Sequence, residues 1–372
     1  MITSLHLKDF KLFKDQSFDF KNLNLLTGLN GMGKSTAIQA LLLLREAKFA
    51  DILYKSLRLF GNELFEAGKI EDLRNENAQK PYTINIDLGI NNQINSFVYD
   101  AESSKKTNIH TINLESKTII TENIVEHSLF SEDNFVYLQA DRISPANLYP
   151  MGRGLKNKFG NKGEYSIYFY HSNQRTFLVD KNLCLTEIPT LAAQVKAWLN
   201  YVSPEINIHT QIVGNAVHLD YSFHNSNKHF DPINVGFGIT YCLPIIIALL
   251  SAQPNDLLII ENPESHLHPK GQSKLAELMC LAAQNGVQIF CETHSDHIVN
   301  GVRVGIIKNK EFNIHEKVKI FYFTKIANEF STKVFDIPIN KNAELSTKEL
   351  RKNGITGFFD QFDNDLSTIL GL

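Results

Sequence analysis

An α/β fold, with a parallel sheet flanked by helices and an antiparallel β-meander in its N-terminal half, is predicted by three observations. The apolar run 23–27 stops at Gly28, after which Ala37, Ile38, Ala40, Leu41, Leu42 and Leu44 follow helical spacing, so the chain reads strand, glycine-rich turn, helix. From about residue 239 onward apolar strands alternate with helices, the pattern of a parallel sheet with helices packed on it. After Pro81, TINIDLGI, NSFVYDA and TINLESKTIIT alternate polar and apolar residues around Asn-rich turns.

The elements follow in order. Residues 2–20 alternate with a period of two, predicting paired antiparallel strands that turn around 11–15. Residues 51–79 are mostly helical in pattern, broken at a surface turn, GNELFEAGK. The run FVYLQA at 135–140 predicts a strand, and the loop DRISPANLYPMGRG follows it. Residues 153–162 hold Arg153, Lys156, Lys158 and Lys162 and no acid. An amphipathic helix at 191–202 precedes two strands, INIHTQIV and AVHLDYSF. A helix from about 239, a strand at 257–260, a helix at 269–285 and a strand at 287–291 complete the pattern.

With 372 residues, 43% hydrophobic and 21% charged, the chain can bury a sizeable core, as two or three domains or as one large domain with insertions. Thirty-seven basic against forty acidic residues leave a formal charge of −3, so no global basic excess advertises nucleic acid. The four cysteines form no CxxC pair and sit in apolar runs, which predicts buried thiols and a reducing compartment. The most apolar run, 242–250, is far short of the roughly 20 residues a bilayer span needs and reads as a buried helix. The opening MITSLHLKDFKLF lacks an unbroken apolar region, so a cytoplasmic location with no membrane partner is expected.

The chemistry concentrates at three places. Residues 28–35, GLNGMGKS, match the phosphate loop G-x-x-x-x-G-K-[ST] between a strand and a helix. Gly28, Asn30, Gly31 and Gly33 would cradle phosphate with backbone N–H groups at the positive end of a helix. Lys34 would span the β- and γ-phosphates, Ser35 would offer its hydroxyl to Mg²⁺, and Thr36 would bond the α-phosphate, so the predicted cofactors are ATP and Mg²⁺. A second strand, LLIIENPE, ends in Glu261, expected to hold the metal through water, and Glu264, expected to polarise the attacking water. A third, IFCETHS, brings His294 to a strand end, where it could meet a γ-phosphate oxygen or the lytic water. His266 and His268 lack further metal ligands in view and are expected to shape a loop. Asp360, Asp363 and Asp365, interleaved with Phe358, Phe359 and Phe362, predict the wet face of a docking helix.

Together GLNGMGKST, IIENPESHLHP, ETHS and NVGFGI resemble the ABC-type ATPase heads, and within them the bacterial ATPases of the OLD and Septu (PtuA-like) anti-phage systems. The resemblance extends to SLHLKDFKLFKD, YLQADRISP and GFFDQFDNDL. It implies an ABC-type P-loop NTPase head over 1–325, with its core at 1–50 and 231–325 and inserted β and helical lobes at about 51–230, followed by a C-terminal extension at 326–372. It makes NVGFGI, with Asn234, Gly236 and Gly238 opening a helix, the counterpart of the signature that closes over a second copy's nucleotide, although LSGGQ itself is absent. It brings Gln139 to the magnesium and places Lys11 near the adenine. Arg142 and Arg153, taken as exposed, have only a weak claim to a phosphate or a partner.

The implied function is a slow, regulatory ATPase. Its heads form a homodimer or higher oligomer around nucleotide and govern a separate effector, of the HNH nuclease class in Septu-type systems. Only seventy-eight residues follow His294, much of them strand-like, so the chain is expected to be a stand-alone head without a toprim nuclease domain. A competing reading is a RecF-like repair ATPase gripping DNA through Lys156, Lys158 and Lys162. A transporter ATPase and a chain that merely holds ATP as a structural ligand are weaker alternatives.

Overall fold

The computed structural model describes residues 1–102, 110–152, 158–223, 227–325, 332–359 and 361–370. They fall into two compact units, one of residues 1–130, 319–340 and 344–372, the other of residues 131–318 and 341–343.

In chain order the first unit opens with β1 (Ile2–Phe10), β2 (Phe13–Asp19), β3 (Leu23–Gly28), α1 (Lys34–Phe49), β4 (Ser56–Arg58), α2 (Ile70–Leu73), β5 (Thr83–Ile90), β6 (Gln93–Asp100) and β7 (Thr111–Leu114). The second unit holds β8 (Phe135–Leu138), β9 (Leu148–Pro150), α3 (Ser166–Asn173), α4 (Leu191–Val202), β10 (Ile206–Val213), β11 (Ala216–Phe223), β12 (His229–Phe230), α5 (Phe237–Ser251), β13 (Leu257–Glu261), α6 (Pro269–Gln284), β14 (Gln288–Glu292) and α7 (Asp296–Lys308). The chain returns to the first unit with β15 (Val318–Lys325), β16 (Thr332–Asp336), α8 (Lys348–Lys352) and α9 (Gln361–Leu370).

In the first unit the predicted meander joins the opening hairpin in an antiparallel sheet of order β2-β1-β5-β6-β7-β4. Alternation in β5 puts Ile84, Ile86 and Leu88 on the buried face. A separate strand group runs β16-β15-β3. Phe18 of β2 meets Phe321 and Phe323 of β15 at centroid distances of 5.6 and 6.0 Å, an aromatic seam that ties the hairpin to this group.

In the second unit β14, β13 and β8 are parallel and apolar in their centres, Leu257 to Ile260 being buried throughout. The predicted helix 242–250 is the centre of α5 and is buried along its length, Pro244 included. A second, antiparallel sheet is formed by β10, β11, β12 and β9. Its inner face carries Val217, Leu219 and Tyr221, and its outer face is polar.

Three expectations are corrected. Residues 51–79 are not mostly helical: they contain only β4 and the single turn α2, because Gly61, Gly68 and the polar runs between them interrupt any continuous apolar stripe. The loop after residue 140 contains β9, which pairs with β11 through Tyr149 and Val217. Of the four free cysteines, Cys184 is only half-buried, its thiol lying against the carbonyls of Val179 and Asp180. No helix among the described residues is long and apolar enough to cross a membrane.

Candidate functional site

The first unit supplies the phosphate loop. Gly28 ends β3 with φ +128, and a Cβ there would stand 2.2 Å from the Phe323 carbonyl oxygen, so the adjacent strand excludes any side chain. Gly33, at φ +93, is the left-handed residue that turns the loop into α1. Between them Asn30 and Gly31 are exposed. No side chain caps α1 and no acid stands in its first turn, leaving the helix's positive end facing the loop. The Lys34 side chain is only 3% exposed and folds into the curl, its Nζ donating to the carbonyls of Gly28 at 2.9 Å and Leu29 at 2.8 Å. Ser35 is half-buried and Thr36 buried. Lys11 donates to Gln39 Oε1 at 2.7 Å, and its ammonium lies 5.7 Å from the Phe65 ring centre. Burial pushes its pKa down, against the pull of Asp72.

The second unit supplies the carboxylates. Glu261 closes β13, where Oε1 accepts from the Tyr137 hydroxyl at 3.0 Å and Oε2 from the Ala140 N–H at 3.1 Å. Burial raises its pKa above the ordinary carboxyl value despite the opposing effects of Ala140, Tyr137 and Arg142. Three residues on, Glu264 is held on both oxygens, Oε2 accepting from Thr293 Oγ1 at 2.8 Å and Oε1 from the His294 N–H at 2.7 Å. The His294 side chain is exposed at the turn between β14 and α7. Ser295 then caps α7, accepting from the N–H groups of His297 and Ile298.

Arg142 requires a correction, since it is 1% exposed. Its guanidinium donates to the carbonyls of Gln139 at 3.0 Å, Glu261 at 2.7 Å and Asn262 at 2.5 Å, pinning the end of β13 to the segment after β8. Gln139 uses both main-chain groups, its N–H donating to the Asn161 carbonyl and its own carbonyl accepting from Arg142. Tyr137, Thr293 and the Arg142 clamp had not been singled out for these roles. Thr293 lies inside the ETHS motif, where a hydroxyl one residue before His294 was the available signal.

NVGFGI divides by role. Asn234 and Gly236 are exposed, and a Cβ on Gly236 would meet nothing. A Cβ on Gly238 would stand 2.3 Å from the His266 carbonyl oxygen, so this glycine serves packing. His266 lies 4.8 Å from the Tyr241 ring, and His268 Nδ1 accepts from the Lys270 N–H at the start of α6, which gives both histidines loop-shaping work.

The described lysines of the basic stretch are engaged within the chain. Lys162 pairs with Asp141 at 2.5 Å, and Lys158 is half-buried near the rings of Phe159 and Phe169. Arg153, Lys156, Asp360 and the side chains of Phe362 and Asp363 lie outside the described residues.

Within the second unit the Glu261 carboxylate and the Gln139 amide offer oxygen donors for a metal. Hard oxygen ligands of this kind suit Mg²⁺. When bound, the ion would neutralise phosphate charge, while Glu261 lies in a partly desolvated setting where a cation favours its ionised form.

Residues 4–183 match the family model described as "AAA domain", and residues 203–300 match "AAA domain, putative AbiEii toxin, Type IV TA system". No curated protein shows significant similarity to the chain. Among solved structures, the chain is similar to an Smc head bound to the C-terminal winged-helix domain of ScpA, with TM-score 0.55, 15% identity, and coverage of 91% of this chain and 98% of that one. It is also similar to an Smc head with an extended coiled coil bound to the C-terminal domain of ScpA from Pyrococcus furiosus, with TM-score 0.50, 13% identity, and coverage of 91% and 96%. The chain thus has the mixed-sheet P-loop fold of the ABC-type, SMC-like ATPase heads, and two stretches of it match AAA domains.

Proposed function

We propose that the chain binds Mg²⁺-ATP, hydrolyses it slowly, dimerises around the nucleotide and thereby regulates a separate effector, a nuclease of the HNH class, in anti-phage defence of the OLD and Septu kind. The observation that carries the reading is the held carboxylate of Glu264. A base fixed on both oxygens at a strand end is positioned to orient a water, and its hydrogen bonds limit the rotamers it can sample. Lys34, Ser35 and Thr36 bind the triphosphate, Glu261 and Gln139 serve the magnesium, and His294 reads the terminal phosphate. Asn234 and Gly236 meet the nucleotide of a second copy. The cytoplasm is the proposed setting.

Support for a separate partner comes from the Smc heads, each bound to a domain of another protein, ScpA. The test is to purify the chain with the products of its neighbouring genes, with ATP and with the Glu264→Gln variant. ATP-dependent dimerisation and co-purification of a nuclease are expected. Recovery of a bare monomer in every nucleotide state would remove the reading. DNA gripping has less support, since Lys162 and Lys158 are engaged within the chain.

A further inference from the structure

The outer face of the β10-β11-β12 sheet carries a cluster that the nucleotide chemistry does not use. Register pairs His209 of β10 with Asp220 of β11, and His229 of β12 with Ser222 of β11. Because residues two apart share a face, His209, His218, Asp220, Ser222 and His229 all lie on the same side, opposite the buried Val217, Leu219 and Tyr221. Lys228 lies 4.9 Å from the Phe230 ring, and both share the other side.

We propose that His209, Asp220 and His229 form a binding site for a transition-metal cation of the zinc class. Each of the three strands contributes one ligand, and the three ligand atoms all lie within 4.8 Å of one another. The imidazoles of His209 and His229 are 4.5 Å apart, and His229 Nδ1 meets Asp220 Oδ1. Two imidazoles and a carboxylate suit zinc and its neighbours, whereas magnesium and calcium take all-oxygen sets.

The surroundings are those of a supported ligand. The other oxygen of Asp220 lies 3.5 Å from His218 Nδ1, and His218 Nε2 lies 3.4 Å from Asp231. Asn147 donates to the second oxygen of Asp231 at 3.1 Å, so a relay of partners orients the carboxylate. Ser222 Oγ, 2.9 Å from His209 Nε2, fixes that ring in the same way. A metal here would staple the two-residue strand β12, from which the chain runs through Asp231 into the turn that ends at Gly236.

The full chain, stripped with a chelator and titrated with cobalt(II), tests the site. We expect one ion per chain, with the intense visible absorption of tetrahedral cobalt, bleached by zinc and untouched by magnesium, and a rise in melting temperature with zinc. His229→Gln and His209→Gln should abolish the band, and Asp231→Asn should weaken binding about tenfold or more. His266→Ala with His268→Ala should leave it intact. His229 is half exposed at the edge, so its variant should melt like the metal-free parent and decides the matter if His209→Gln does not fold. No cobalt band in the parent, or a band that survives His229→Gln, overturns the proposal.

Discussion

Glu264 and Thr293 are joined by a 2.8 Å hydrogen bond, so the acid after β13 is aimed by the turn after β14 rather than left to swing. Replacing Glu264 by Gln keeps a side chain that can still bond Thr293 but removes the base. Turnover should fall about 10²- to 10⁴-fold with nucleotide affinity retained. Thr293→Val should cost roughly tenfold in turnover, the value of one hydrogen bond. Steady-state phosphate release beside nucleotide titration checks both, and unchanged turnover in Glu264→Gln would remove the assignment as base.

Lys34→Ala should fold normally and lose roughly 100-fold or more in ATP affinity, since its ammonium supplies the charge inside the loop. Gly28→Ala should fail for a different reason. Its new Cβ would press on the Phe323 carbonyl, costing about 1–3 kcal/mol of stability as overpacking. Calorimetric titration and thermal melts on the two variants separate charge from fit.

The two glycines of NVGFGI should behave oppositely. Gly236→Ala, which meets open space, should leave the melting temperature of the single chain unchanged and reduce ATP-dependent dimerisation. Gly238→Ala should lower the melting temperature even without nucleotide, because the His266 carbonyl occupies the place of its side chain. Analytical ultracentrifugation and melts provide the comparison. A Gly236→Ala chain that dimerises like the parent would take the signature role away.

His127 gives a pH dependence. Burial, and then the charge of the N-terminal amine, lower its pKa to about 3, and Nδ1 accepts from the Leu129 N–H, so the folded ring is neutral. The unfolded ring takes up a proton near its ordinary 6.5 and the folded ring only near 3, so the unfolded state binds more protons between those values. The stability contributed is complete above about pH 6.5 and drains as pH falls toward 3, by up to about 4 kcal/mol. His127→Gln, neutral throughout, should show a shallower loss in urea melts across that window. An identical slope would refute the assignment.

The sequence foretold most of the strands because burial imposes periodicity. The alternation of TINIDLGI became β5, and the uninterrupted apolar run before Glu261 became β13. The phosphate loop was legible because Gly28 and Gly33 occupy positions that only glycine fills, so spacing alone identified them. Residues 51–79 misled, since amphipathic-looking pairs without a continuous stripe have no partner to bury against. Arg142 was misread because nothing local distinguishes an arginine on a surface loop from one that clamps three carbonyls, two of them about 120 positions away in sequence. The His209, Asp220 and His229 grouping was equally hidden, because it exists only once the register of three strands is set.

Thr27, one residue before the phosphate loop, donates to the carbonyl of Phe321, 294 positions downstream. On the ribosome, then, β3 emerges early and waits for a neighbour that arrives only after the whole of residues 131–318 has been translated. The second unit has all but three of its residues before the first has its last strands, so it can collapse while the other remains incomplete. A nascent chain halted shortly before β15 would expose an unpaired β3 edge, a natural point for a chaperone to hold or for aggregation to begin.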